Sequence, residues 1–155
     1  MREILFRGKL KSNDEWSFGN LNISLRGIVI ITPDETPLGK YGQVIPETIG
    51  QYTGLTDKNG KKIFEGDIIR YADNDEYEMY LESIECPEEY EGVDFSQMWT
   101  VDEVVYADKI GYPAFDLNAH DFECNGLAML SESGQWFYEV IGNIYDNPEL
   151  LEVQK

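Results

Sequence analysis

The stretch VIPETIGQYTGLTDKNGKKIFEGDIIR, Val44–Arg70, decides the fold because it holds most of the turn signals in the chain. Asn59-Gly60 predicts a β-hairpin with a type I′ turn, since both residues tolerate the positive φ that this turn requires. Asp57 can accept a hydrogen bond from the backbone just beyond it, which reinforces the reversal. Glu65-Gly66-Asp67 predicts a second tight bend, after which Ile68 begins an apolar strand. The stretch therefore predicts a hairpin that leads directly into a buried strand.

Strand patterns lie on both sides of this stretch. Residues 2–21 alternate apolar and polar side chains about a turn at Ser12-Asn13-Asp14, which predicts a hairpin. Further strands are predicted at 26–32, 98–106, 113–117 and 136–145. Pro46-Glu47-Thr48 predicts one helical turn, and Asn147-Pro148 predicts a short C-terminal helix with Asn as its N-cap. Residues 118–134 are ambiguous, because the apolar run Leu127–Leu130 is too short to be assigned to helix or strand by its period.

An acidic segment follows the central stretch and reads as a helix. Tyr77, Tyr80, Leu81 and Ile84 recur at the spacing of one helical face, behind the capping and acidic residues of 73–76. The pattern predicts an amphipathic helix over 75–85 that ends before a proline, followed by an acidic loop at 88–92.

These elements together predict a mainly β fold, of the β-rich α+β class. Its body is a small, bent, SH3-like barrel built from residues 53–71, 97–117 and 135–145. The predicted additions are N-terminal strands, the short acidic helical insert and the short C-terminal helix. A chain of 155 residues fits one domain, 1–155, with N-terminal strands in 1–52 and the barrel-like part in 53–155.

Charge is the most unusual global property of the chain. The 12 Lys and Arg residues against 30 Asp and Glu residues give a formal net charge of −18. Beyond Arg70 only Lys109 and Lys155 are basic. An acidic field repels a phosphate backbone, so we expect no direct nucleic-acid binding by this half. Basic protein partners and divalent cations are alternatives, and a solvated, soluble surface is the favoured interpretation.

The sequence also predicts where the protein works. It has no apolar run near the roughly 18 residues that a membrane helix needs, and residues 1–10 lack the apolar core of a signal peptide. Cys86 and Cys124 are far apart and are read as free thiols of a reducing cytosol. We therefore expect a cytoplasmic protein with no membrane contact.

Three segments carry a resemblance to a known family. They are the opening MREILFRG (1–8), the central stretch 44–70 and the closing EVIGNIYDNPELL (139–151). Their order and motifs resemble the YopX-like family of phage and prophage proteins. The resemblance implies a mostly β protein of a mobile genetic element in a bacterial host cell, with no established activity. The resemblance also implies that residues 72–96 are an insertion particular to this chain, to which conclusions from the family do not extend.

One group of side chains allows a chemical hypothesis. His120 is the only histidine, and Cys124 lies four residues beyond it, so that a base and a nucleophile would share one face of an extended segment. Asp116, His120 and Cys124 could alternatively ligate a metal. No oxyanion loop, second histidine or paired cysteine motif accompanies them, so the favoured interpretation is a polar loop. No cofactor is expected, because no phosphate loop or dinucleotide fingerprint is present.

The sequence therefore favours a non-enzymatic protein-binding or adaptor module whose partner is a host or phage protein. Self-association into a homo-oligomer is a further expectation, because small β domains often pair exposed edges. One alternative is an acidic nucleic-acid mimic that occupies a basic host DNA-binding protein, and another is a hydrolase or metal-binding protein that uses the His120 region. The candidate partner-binding residues are Tyr77, Tyr80, Glu88, Glu89 and Tyr90. Packing of the tyrosines onto the protein's own body is the competing interpretation.

Overall fold

A computed structural model describes residues 3–23, 29–32, 42–95, 97–106, 114–118 and 125–152. Strands make up 45% and helices 25% of these residues, so the predicted mainly β class is confirmed. The chain forms two compact units. The N-terminal unit comprises Met1–Leu55 and Lys62–Glu65, and the C-terminal unit comprises Thr56–Lys61 and Gly66–Lys155. That residues 1–155 fold as a single domain stays a prediction.

The first sheet has six strands in the order β4-β3-β2-β1-β5-β6. Its strands are β1 (Phe6–Lys9), β2 (Trp16–Ile23), β3 (Val29–Thr32), β4 (Gly42–Gln43), β5 (Gly50–Thr56) and β6 (Lys62–Phe64). The predicted N-terminal hairpin is confirmed, since β1 and β2 pair antiparallel from Phe6↔Gly19 to Lys9↔Trp16. Within the predicted barrel segment 53–71, residues 53–56 and 62–64 belong to strands of this sheet, whereas residues 67–71 belong to a strand of the second sheet.

The second sheet has four strands in the order β10-β7-β8-β9. Its strands are β7 (Asp67–Asp73), β8 (Thr100–Tyr106), β9 (Phe115–Leu117) and β10 (Trp136–Asn143). All three of its pairings are antiparallel, and a bulge interrupts the β10 register between Val140 and Gly142. These strands come from the predicted barrel segments, but their closure into a barrel stays a prediction.

Helices connect and flank the strands. Helix α1 (Asn74–Glu85) confirms the predicted amphipathic helix, and α2 (Gly126–Glu132) lies in the segment whose period was ambiguous. Short 3₁₀ turns lie at Pro46–Thr48, Pro87–Tyr90 and Pro148–Leu151. The predicted C-terminal helix is a single 3₁₀ turn. Asn147 occupies its N-cap position, but the predicted capping by its side chain is wrong, because that side chain makes no capping hydrogen bond.

The hairpin turn between β5 and β6 lies at the predicted place but is of another type. The N–H of Gly60 donates to the carbonyl of Asp57, whose own N–H donates to the carbonyl of Lys61. Gly60 has a φ of +80°, whereas Asn59 has no positive φ. A type I′ turn needs both, so that prediction is wrong. The pattern is that of a three-residue loop with glycine in the left-handed position.

Buried Asp57 connects this turn to β10 within the C-terminal unit. Its Oδ1 accepts the N–H groups of Asn59 and Lys61, both at 2.9 Å, and its Oδ2 accepts the N–H of Val140 at 3.0 Å. The N–H of Lys58 donates to the carbonyl of Tyr138 at 3.2 Å. The turn therefore occupies backbone groups on the outer edge of β10, which would otherwise be open to another strand.

Replacement of Asp57 should destabilise the protein strongly. Asp57→Ala removes both acceptor oxygens, and with them three hydrogen bonds, and leaves the buried N–H of Val140 without its partner, which costs about 3 kcal/mol of unfolding free energy. Asp57→Asn keeps one acceptor oxygen and should lose less. Urea unfolding followed by circular dichroism measures both values. Equal stability of wild type and Asp57→Ala would show that the turn does not depend on this carboxylate.

The bulge in β10 brings Gly142 into close contact with two side chains of the last 3₁₀ turn. A Cβ built on Gly142 would lie 2.6 Å from Oδ1 of Asn147 and 2.9 Å from Cδ1 of Leu150. These separations are shorter than non-bonded atoms tolerate, so a side chain at Gly142 would force the side chains of Asn147 and Leu150 to shift. The closing motif, residues 139–151, thus contains Gly142 and also Asn147 and Leu150, the residues that it contacts.

The core of the C-terminal unit combines aliphatic side chains with two buried tyrosines. Its fully buried members are Ile68, Ile69, Val104, Leu117, Leu127 and Leu130. Tyr71 is also buried, and its ring lies edge-on to Trp136 at 6.0 Å. Burial and the nearby Asp102 carboxylate raise the pKa of Tyr71 to about 12. Burial, together with Asp57, also raises the pKa of Tyr138.

These tyrosines should make stability fall in strong alkali. The unfolded chain loses the Tyr71 proton near the ordinary pKa of 10.0, whereas the folded chain keeps it until about pH 12. The folded state therefore binds more protons in this window, and stability decreases as pH rises through it. Urea midpoints at pH 8 and pH 11 should differ less for Tyr71→Phe than for wild type. The exposed Tyr106→Phe is the control, and an unchanged pH dependence in Tyr71→Phe would contradict this assignment.

Candidate functional site

Net charge is confined to one of the two units. The N-terminal unit contains 7 basic and 7 acidic residues, whereas the C-terminal unit contains 5 basic and 23 acidic residues, which gives −18. Residues 73–95 hold ten of these acids and no Lys or Arg. The strongest local field of the described chain therefore surrounds α1 and the 3₁₀ turn that follows it.

The sequence at the start of α1 favours a helix at this position. The side chain of Asp73 accepts the N–H of Asp75 at 2.9 Å and so caps the first turn. Asp75 and Glu76 lie beside the positive end of the helix dipole, which stabilises them. None of the twelve residues of α1, all of which the structure describes, is fully buried. Aliphatic burial therefore does not hold this helix in place.

An aromatic cluster attaches α1 to the four-stranded sheet. The ring of Tyr77 stacks on Phe137 of β10 with 3.8 Å between centroids and 16° between planes. Trp99, just before β8, lies edge-on to Tyr77 at 5.7 Å, to Phe137 at 5.8 Å and to Tyr80 at 6.5 Å. Trp99 thus contacts the helix and the sheet together. We refer to Tyr77, Tyr80, Trp99 and Phe137 as the aromatic cluster.

A cation from β7 completes the cluster. The guanidinium carbon of Arg70 lies 4.3 Å from the centre of the Trp99 ring, a cation–π geometry. The Nε of Arg70 donates to Glu139 of β10 at 2.6 Å, and a second guanidinium nitrogen also contacts that carboxylate. The last cation before the acidic segment is therefore held within its own sheet.

The structure divides the five predicted partner-binding residues into two groups. Tyr77 and Tyr80 are half-buried in the aromatic cluster, so they pack on the protein's own sheet. Tyr90 is also half-buried; its hydroxyl donates to Glu82, and this bond raises the pKa of Tyr90. Glu88 and Glu89 are exposed. Only the acids of the predicted set point freely to solvent.

The exposed acids of this region form what we call the acidic ridge. The ridge consists of Asp75, Glu76, Glu78, Glu82, Glu85, Glu88, Glu89, Glu91 and Asp94. Phe95 supports its second half, because its ring lies 5.8 Å from Tyr80 and 6.3 Å from Tyr90. The ridge is therefore carried by an ordered helix and turn.

Sequence reasoning missed Arg70, Phe95, Trp99, Phe137 and Glu139 as members of the site. Trp99 and Phe95 follow the acidic segment directly and could have been found as rings placed at its end. Phe137 lies about sixty residues from Tyr77 along the chain, and no local pattern connects the two.

Of the three residues in the His120 hypothesis, the structure describes Asp116. His120 and Cys124 lie outside the described residues. Asp116 is fully buried, and its Oδ1 accepts the N–H groups of Leu117 at 2.8 Å and Leu127 at 3.2 Å. This carboxylate thus connects β9 to the start of α2. Within the described ranges, no group of three or more His, Cys, Asp and Glu side chains is placed to hold a metal ion.

No helix in the described part of the chain is long and apolar enough to cross a membrane.

Comparisons with known proteins define the class of this chain. The family model described as YopX protein matches residues 6–152, which is nearly the whole chain, so the protein belongs to the YopX family. A crystal structure of protein EF1440 from Enterococcus faecalis resembles it with a TM-score of 0.53 at 22% sequence identity. The alignment covers 97% of this chain and 99% of that one, and at this identity it supports the fold alone. No curated protein matches the sequence.

Loss of the Trp99 ring should release α1 from the sheet. Trp99→Ala leaves the helix sequence unchanged but removes three ring contacts, and each aromatic pair contributes about 0.5–1.5 kcal/mol. Amide hydrogen exchange in residues 74–85 should accelerate roughly thirty-fold, corresponding to about 2 kcal/mol, while β7 and β10 stay protected. Tyr106→Ala, at an exposed ring outside the cluster, is the control. Unchanged exchange in α1 would show that Trp99 does not anchor it.

Proposed function

We propose that this YopX-family protein is a non-enzymatic protein-binding or adaptor module of a phage or prophage, which works in the cytoplasm of a bacterial host cell. The observation that supports this most directly is the acidic ridge. Nine carboxylates are exposed on a segment that contains no cation, and rings from the sheet hold that segment in place. The partner is a basic host or phage protein.

The electrostatics of the ridge favour a protein partner of opposite charge. Like charges close together raise the free energy of the unbound surface, and a basic partner relieves this repulsion as it binds. Arg70 does not neutralise the ridge, because its guanidinium is held by Glu139 and Trp99. The attraction should act on the association rate and should weaken as salt increases.

A second candidate is supported by the confinement of net charge to one unit. A surface of closely spaced carboxylates can occupy a groove that normally binds phosphates, so the C-terminal unit would act as a nucleic-acid mimic. The described contacts of Asp116 support a structural role for this residue and favour neither the hydrolase nor the metal hypothesis.

Neutralising part of the ridge should weaken binding to basic proteins. Glu85→Gln, Glu88→Gln and Glu89→Gln together remove three exposed charges, whereas Glu132→Gln, Glu149→Gln and Glu152→Gln remove three exposed charges elsewhere in the same unit. Both triple variants have the same net charge. We expect the ridge variant to lose about tenfold in affinity and the control to lose much less.

The measurement is capture from bacterial lysate at low and high salt, with mass spectrometry and titration of the proteins recovered. Partners should be basic and should elute steeply with ionic strength. Salt-insensitive capture, or equal loss in the two triple variants, would overturn the ridge as the binding surface. Displacement of DNA from the captured partner by this protein is the result expected only of a nucleic-acid mimic.

A further inference from the structure

The second half of α1 exposes apolar side chains beside the acidic ridge. Leu81 and Ile84 occupy the same helical face as Tyr77 and Tyr80, because residues three, four and seven apart share a face. Tyr77 and Tyr80 are covered by rings, whereas Leu81 is 42% and Ile84 59% exposed. The apolar face of α1 therefore extends beyond the part that Phe137 and Trp99 cover.

This exposure is concentrated in one region. Of the eight large apolar side chains exposed in the described residues, four lie between positions 79 and 93: Met79, Leu81, Ile84 and Val93. Met79 lies on the opposite side of α1, and Val93 lies beyond its end, so Leu81 and Ile84 form the continuous part of this exposed apolar surface.

Carboxylates run alongside these apolar residues. Glu78, Glu82 and Glu85 follow one another at i, i+4 and i+7, so they form a row along the helix, and Glu82 and Glu85 each follow an apolar residue directly. An apolar stripe with a row of charges at its side is the arrangement by which one helix selects another of opposite charge. A helix of twelve residues is about 18 Å long, enough for a partner helix to lie along it.

We propose that the stripe formed by Leu81 and Ile84, together with the row Glu78, Glu82 and Glu85, docks a basic amphipathic helix of the partner protein. This inference rests on the proposed function and specifies the shape of the partner. The apolar side chains of that helix cover Leu81 and Ile84. Its Lys or Arg residues, spaced by three and four positions, face the carboxylate row.

The test uses two synthetic peptides of about 18 residues, long enough to be helical when bound, with identical Leu, Lys and Ala composition. One arranges Leu along a single helical face, and the other distributes the same residues without a face. Isothermal titration measures the affinity of each peptide for the full chain. We expect the amphipathic peptide to bind at least tenfold more tightly than the scrambled one.

Two surface variants locate the contact. Leu81→Gln with Ile84→Gln should abolish the preference for the amphipathic peptide while both peptides still bind through charge. Ile4→Gln with Ile23→Gln, at two exposed isoleucines of the N-terminal unit, should leave the preference unchanged. Hydrogen exchange of α1 establishes that each variant keeps the helix.

The outcomes separate this inference from the proposed function. Equal binding of the two peptides to wild type, or an undiminished preference in Leu81→Gln with Ile84→Gln, overturns the helix-docking inference and leaves charge-based binding intact. Failure of both peptides to bind overturns the ridge itself. Light scattering tests a second copy of this chain as the occupant. A dimeric wild type and a monomeric Leu81→Gln, Ile84→Gln variant would assign the stripe to that second copy and overturn the docking of a basic amphipathic helix.

Discussion

The hydrogen bonds of the Asp57 carboxylate are the constraint on which the C-terminal unit depends most. One buried side chain accepts N–H groups from its own turn and from β10, eighty-three residues further along the chain. These hydrogen bonds fix the turn, and they also occupy a backbone group on the outer edge of β10. A three-residue loop suits this role because its extra residue allows two turn N–H groups to converge on one carboxylate oxygen.

Fixing β10 also fixes the surface built on it. β10 carries Phe137, on which Tyr77 stacks, and Glu139, which binds Arg70. The acidic helix is therefore positioned by the Phe137 ring of β10 and by Trp99, just before β8. The turns of the framework account for the signature residues of the sequence, and α1 supplies the surface on which the proposed function depends. The signature residues and the residues proposed to bind therefore lie in different parts of this chain.

Local signals in the sequence were enough to predict α1, most strands and the position of the central turn. The cap at Asp73, the acids of the first turn and the periodic tyrosines all act within a few residues, and such effects are readable. The division of strands between two sheets was not predictable, because it depends on pairings between distant segments such as β1 with β5. The turn type was predicted wrongly because Asn59 permits a positive φ without requiring one. The aromatic cluster was missed for the same physical reason as the sheet order, since Tyr77 and Phe137 meet only after the sheet has formed.

The charges at the end of α1 have a consequence for its own stability. Glu82 and Glu85 lie near the negative end of the helix dipole, and the last turn contains no cation to offset them. Each such carboxylate disfavours the helical state by about 0.3–1 kcal/mol at low ionic strength. These carboxylates therefore destabilise the helix, whereas the ring contacts of Tyr77 with Phe137 and Trp99 stabilise it. Salt screens this unfavourable interaction, so the stability of α1 depends on ionic strength.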